Sequence, residues 1–177
     1  MRTTPRLHHQ SGVTLLELVL VIILLGILSV ISMNMISDSY VTTRTINNGN
    51  ANTSTARYAM ERISREIRQV TFDTNTKLVV ISTAASTQMS FTKSELSVDK
   101  LVTIRLNGQS LTLSNPTPST ESVLAEHVTS FSLRYFDSNM VEFPALGNIR
   151  FVQINLTIDA PDAPAVELHS LVALRNG

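Results

Sequence analysis

The residues from Val13 to Met33 read VTLLELVLVIILLGILSVISM, and Glu17 is the one charged side chain among them. As a helix rising ~1.5 Å per residue, the run spans roughly 31 Å, about the thickness of a bilayer hydrocarbon core. A segment apolar on every side has to be surrounded by lipid or by other apolar helices. The residues ahead of it are polar and basic, with Arg2 and Arg6 and no acid. Basic residues flank the cytoplasmic end of a span, so the N-terminus is expected inside and everything after the run outside the cytoplasm.

The remainder of the 177 residues is polar and rich in Ser and Thr. That length suits one domain plus an appendage. The formal net charge is zero, which argues against a nucleic-acid partner held through phosphates. There is no cysteine, which removes disulfides, thiolate metal sites and cysteine nucleophiles together.

Four segments are expected. Residues 1–12 form a leader, 13–36 a transmembrane or filament-core helix, 37–72 an extension of that helix with a weak middle, and 73–177 a globular β-rich domain. The extension contains NMISDSYVTTRTINNGNANTSTAR, where Asn, Thr, Ser and Gly49 lower helix propensity. A soft or broken stretch is therefore expected near Asn47–Asn50. Beyond it, Ala56, Ala59, Met60, Ile63, Ile67 and Val70 recur at helical spacing and form one apolar stripe. Glu61 with Arg65 and Arg62 with Glu66 are i,i+4 pairs expected on solvated faces.

After Asp73 the period changes from 3.6 to 2. Candidate strands are Lys77–Thr83, Gln88–Thr92, Leu101–Leu106, Gln109–Ser114, Val128–Phe136, Val141–Phe143, Arg150–Ile158 and Val166–Leu174. Asn107-Gly108 predicts a hairpin with a type I′ turn, and Asp137-Ser138-Asn139 a second turn. Pro116, Pro118, Pro161 and Pro164 mark loops. The expected fold class is α+β: a long N-terminal helix whose apolar stripe packs on a mainly antiparallel sheet.

The segment with the most chemistry in it is Gly12-Val13-Thr14-Leu15-Leu16-Glu17. A carboxylate at the bilayer midplane costs about 2.5–3.5 kcal/mol on insertion scales, and less near the interface. Such an acid asks for a partner. Cleavage after Gly12 would create an α-amine on Val13, four residues from Glu17 and close to one helix face. The two could meet within a subunit, or the amine of one subunit could neutralise the Glu of its neighbour.

GVTLLELVLVIILLGIL resembles the prepilin signal of type IV pilins and type II secretion pseudopilins. The resemblance implies that a membrane-embedded aspartic peptidase cuts between Gly12 and Val13 and methylates the new N-terminus. It implies that Val13, where phenylalanine is usual, and Glu17 act in assembly. ARYAMERISREIRQ, VTSFSLRYFD and LVALRN are similar to stretches of J-type minor pseudopilins and O-type minor subunits of MSHA pili, which favours a minor subunit. The implied partners are the prepilin peptidase, sibling major and minor pilins or pseudopilins, an inner-membrane assembly platform, and membrane lipid before assembly. The implied location is the cytoplasmic membrane and then a filament. The paired cysteines that close the C-terminal loop of many pilins are missing.

Three other readings of the chain stay open. Leu18–Ile31 has the length of a secretory h-region, with Val30-Ile31-Ser32 as a passable cleavage site, and a permanent signal anchor would look similar. The secretory reading leaves Gly12 and Glu17 unexplained. A membrane-anchored β-domain binding an envelope partner, without a filament, is the alternative in function. Gly26 either permits close helix packing or is a tolerated membrane glycine. His127 and His169 are isolated in sequence, and Asp159-Ala160-Pro161-Asp162 lacks the spacing of a Ca²⁺ loop. No nucleophile elbow or phosphate loop is present, so neither an enzyme nor a metal or cofactor site is expected.

Overall fold

The computed structural model of the chain describes residues 14–73, 75–76, 78–95, 98–116 and 119–174. By internal contacts the chain divides into two compact units, Met1–Thr43 and Arg44–Gly177. One helix, α1 (Leu15–Arg68), runs without interruption through both.

In the first unit every described residue is exposed. The polar side chains of this stretch bond to its own helix. Ser29 and Ser39 donate their hydroxyls to the carbonyls of Leu25 and Met35 at 2.7 and 2.8 Å. A hydroxyl satisfied four residues back needs no water, which suits an apolar surrounding.

The second unit is built of two antiparallel sheets around the last turns of α1. A five-stranded meander contains β1 (Ile81–Ala84), β2 (Gln88–Glu95), β3 (Val98–Asn107), β4 (Ser110–Pro116) and β5 (Ser119–Ala125), paired in that order. A three-stranded meander contains β6 (Val128–Phe136), β7 (Phe151–Ile158) and β8 (Val166–Ala173). The two are stitched where β6 passes the β1–β2 turn. There Leu133 donates its backbone N–H to Ser86 at 2.7 Å, and the Tyr135 hydroxyl donates to the Ala85 carbonyl at 2.8 Å. Burial pushes the Tyr135 phenol above its usual pKa.

One core joins helix and sheets. Ala56, Ala59, Met60, Ile63, Ile67 and Val70 are all buried, as the stripe predicts, against Phe91, Val102, Ile104, Ile154 and Leu156 among others. The period-2 strands send alternate residues inward, most regularly in β7, where Val152, Ile154, Leu156 and Ile158 are buried.

The structure differs from expectation in several places. Asn47–Asn50 is helical rather than broken. Gly49 is buried there, and a Cβ on it would come within 3.1 Å of Pro164 Cδ. The 159–164 loop thus closes over the helix, aided by an Arg44–Asp162 ion pair at 3.3 Å, and packing overrides propensity.

Of the expected strand Lys77–Thr83, Lys77 lies outside the described residues, and the strand begins only at Ile81. Asp73 folds the chain before it into a turn, accepting the Asn75 N–H at 2.8 Å, and the pairing that remains is irregular: a bridge between Phe72 and Val79, with Val80 donating its N–H to Thr71 and accepting that of Thr92, both at 3.0 Å.

Ser119–Ala125 was not expected as a strand. Its polar face hides the alternation, and Arg105, forked onto Glu121 with both bonds at 2.8 Å, pins it beside β4 and β3.

Val141–Phe143 forms one bridge, Phe136 to Glu142, and no strand. Met140 and Phe143, at φ 61° each, turn the chain out of any ladder, while Arg134 grips Glu142 at 2.6 and 2.7 Å. The Asp137-Ser138-Asn139 turn is present, with Asp137 Oδ1 accepting the N–H groups of Asn139 and Val141.

Finally, the β3–β4 hairpin forms, but its two loop residues are Gly108 and Gln109, since Asn107 pairs with Ser110. Gly108 has φ 61° and Gln109 is not among the positive-φ residues, the pattern of a type II′ turn with glycine first.

Of the two expected charge pairs, Arg62–Glu66 forms at 2.8 Å. It lies on no solvated face: Glu66 is buried, and its other oxygen accepts from buried Lys93 on β2 at 2.6 Å. Glu61 and Arg65 form no ion pair among the described residues.

Candidate functional site

Gly12 and Val13 lie outside the described residues. The described part of the site begins at Thr14, the residue before α1. Its hydroxyl accepts the backbone N–H of Glu17 at 3.3 Å, and its carbonyl accepts that of Leu18 at 3.1 Å. Thr14 is therefore the N-cap, and Glu17 occupies the third helical position. The spacing Thr-x-x-Glu before an apolar run is a capping-box signature. It also sets a carboxylate in the first turn, at the positive end of the helix dipole.

This role of Thr14 was missed in the sequence, although the Thr-x-x-Glu spacing was there to be read. It gives Glu17 a second physical purpose. Even without a neighbour, the acid favours a helix that starts at this point. A chain cut between Gly12 and Val13 would leave one residue ahead of the cap, and so would place its new charge at the head of an already started helix.

From the cap onward the helix offers no polar face until Asn34. Leu15, Leu16, Leu18, Ile22 and Leu25 stand 55–83 % exposed, on different sides of the helix. A Cβ on Gly26 would meet nothing within 4 Å, so no contact among the described residues accounts for this glycine. The helix is long and apolar enough to cross a membrane, and exposed apolar surface on this scale marks a segment that functions in lipid or against other helices.

Among known protein families, residues 7–33 match the prokaryotic N-terminal methylation motif. No curated protein matches the chain. The motif ends with the apolar run at Met33 and contains Gly12, Val13, Thr14 and Glu17. The chain thus carries the type IV pilin and pseudopilin signal at the head of a long apolar helix that continues into antiparallel sheets, an α+β, pilin-like architecture.

Proposed function

We propose that this chain is a minor subunit of a type IV pilus-like filament or of a type II secretion pseudopilus, a structural protein rather than an enzyme. The observation that carries the reading is the methylation motif over residues 7–33 on a helix whose described residues are all exposed in the first unit. The precursor waits in the cytoplasmic membrane with its N-terminus inside. Prepilin peptidase cuts between Gly12 and Val13 and methylates Val13. The helix then leaves lipid for a bundle of similar helices from sibling pilins or pseudopilins, drawn in by an inner-membrane assembly platform.

Glu17 gives this transfer its direction. In lipid its carboxylate is costly. In the bundle the α-amine of a neighbouring Val13 neutralises it, and an ion pair desolvated on all sides tolerates little displacement, so it sets the axial register. Mass spectrometry of the protein recovered from its own cell membrane tests the processing. The expected N-terminal peptide begins with methylated Val13. A peptide beginning after Ser32, or one retaining the leader, would refute the reading in favour of an ordinary signal peptide or a permanent anchor.

A further inference from the structure

A groove of about 770 Å³ lies in the second unit, between the last turns of α1 and strand β8. Arg57, Arg65 and Arg68 line it on the helix side, and Leu168, His169 and Ser170 on the strand side. Positions 57, 61, 65 and 68 share one helix face. That face therefore carries three guanidinium groups against one carboxylate, Glu61. None of the three makes an ion pair among the described residues.

The other wall is an open sheet edge. β8 pairs only with β7, at the end of its sheet. Leu174 donates its N–H to Arg150 at 2.8 Å, in register with the β7–β8 ladder. N–H and C=O groups alternate sides along a strand. The even-numbered residues of β8 therefore face β7, and Glu167, His169, Leu171 and Ala173 direct theirs outward. Leu133 confirms the parity on the far side of the sheet, since its N–H leaves β6 away from β7 to reach Ser86. No outward backbone group of β8 has a partner among the described residues. An uncovered edge of this kind is a template for another strand.

We propose that this groove binds an extended acidic segment of a partner protein, which adds to β8 as a fourth strand while its carboxylates pair with Arg65 and Arg68. Two independent features select the same occupant. A ladder of outward amides and carbonyls is matched only by another peptide backbone, and the arginine row selects carboxylates on that peptide. A nucleic acid would satisfy the arginines but not the ladder. The inference stands independently of where the chain is cleaved.

The test uses the full chain in detergent and a fluorescent ten-residue peptide alternating valine and aspartate, with binding followed by anisotropy. Saturable binding is expected, with none for the peptide carrying lysine in place of aspartate. Arg65→Ala combined with Arg68→Ala should weaken binding by at least about tenfold, as expected for losing charge-assisted hydrogen bonds. Leu171→Pro removes one outward N–H and no ladder bond, so it should weaken binding with an unchanged circular dichroism spectrum. N-methylation of alternate peptide amides probes the same ladder without touching the protein, and it should abolish binding. Full binding of the N-methylated peptide would mean attraction by charge alone and would overturn strand addition. Equal binding by the arginine variant, or tighter binding of a single-stranded oligonucleotide of equal charge, would overturn the acidic-peptide assignment.

Discussion

Glu17 and Thr14 sit one helical turn apart and answer different needs. Thr14 ends the run of unpaired N–H groups at the head of α1. Glu17 contributes to that same helix start through its position in the first turn, and it supplies the anion the filament reading requires. The two roles separate by substitution. Glu17→Gln keeps the shape and the capacity to hydrogen-bond, so the helix start should survive, but it removes the charge that would neutralise a neighbour's amine. Cleavage should continue, because the residues flanking Gly12 are untouched. The fraction of tagged protein in sheared filaments, or cross-linked to sibling subunits, should fall sharply. Entry of the Gln variant at the wild-type level would show that Glu17 does not set register. At the buried acid Glu66, chemistry predicts a different response. Glu66 holds Lys93 and Arg62 together under the sheet. Lys93→Met leaves that carboxylate buried with a partner lost, which should cost about 3–5 kcal/mol in chemical denaturation. Adding Glu66→Leu should recover most of the loss, since an apolar pair of similar volume replaces a desolvated ion pair at little cost.

The elements were legible in proportion to how much of their stability is local. The apolar stripe of Ala56–Val70 and the strands β2, β3, β4, β6, β7 and β8 announce themselves by period, because each buries one face. β5 does not: Val123 is exposed and its hold on β4 comes partly from Arg105 and Thr112 bonding to Glu121, a contact made across the sheet. Asn47–Asn50 misleads for the converse reason, as a sequence poor in helix formers is held helical by the 159–164 loop at Gly49. At the site, the methylation motif over residues 7–33 was readable because a charge in an apolar run is conspicuous, whereas the outward edge of β8 depends on pairing parity, which no residue type encodes. The Arg105–Glu121 contact carries its own pH signature. The Arg105 fork, then the Thr112 hydroxyl, draw the Glu121 carboxyl down to about 2 from 4.5. A depressed folded-state value means the contribution is present above the unfolded value and disappears as pH falls through the folded one. Thermal unfolding midpoints should therefore decline between pH of about 4.5 and about 2, with Glu142, lowered by its fork from Arg134, adding to the slope. Glu121→Gln should flatten that slope, and an unchanged profile would remove the Arg105 fork from the stability of β5.

On the scale of the whole molecule, the division at Arg44 separates two kinds of surface. Residues 14–43 bury nothing within the chain, whereas the unit from Arg44 onward has a continuous core of its own. A fragment of residues 44–177 should accordingly be soluble without detergent and unfold cooperatively, since its sheets alternate buried and exposed residues and its apolar face is already covered. The covering matters as much as the sheets. Ala56, Ala59, Ile63 and Ile67 are fully buried, so a fragment beginning at Leu78 would uncover Phe91, Val102 and Ile104 on the inner side of the five-stranded sheet. Losing two buried isoleucines alone forfeits about 3–6 kcal/mol of burial, comparable with the whole stability of a small domain. Glu66 would leave with the helix and strand buried Lys93 without its partner. The shorter fragment should aggregate or remain unfolded, as seen by a broad amide envelope in NMR and by binding of a dye specific for exposed apolar surface. If it folds as cooperatively as residues 44–177, then the sheets stabilise each other without α1, and the helix-on-sheet core is not what holds this unit together.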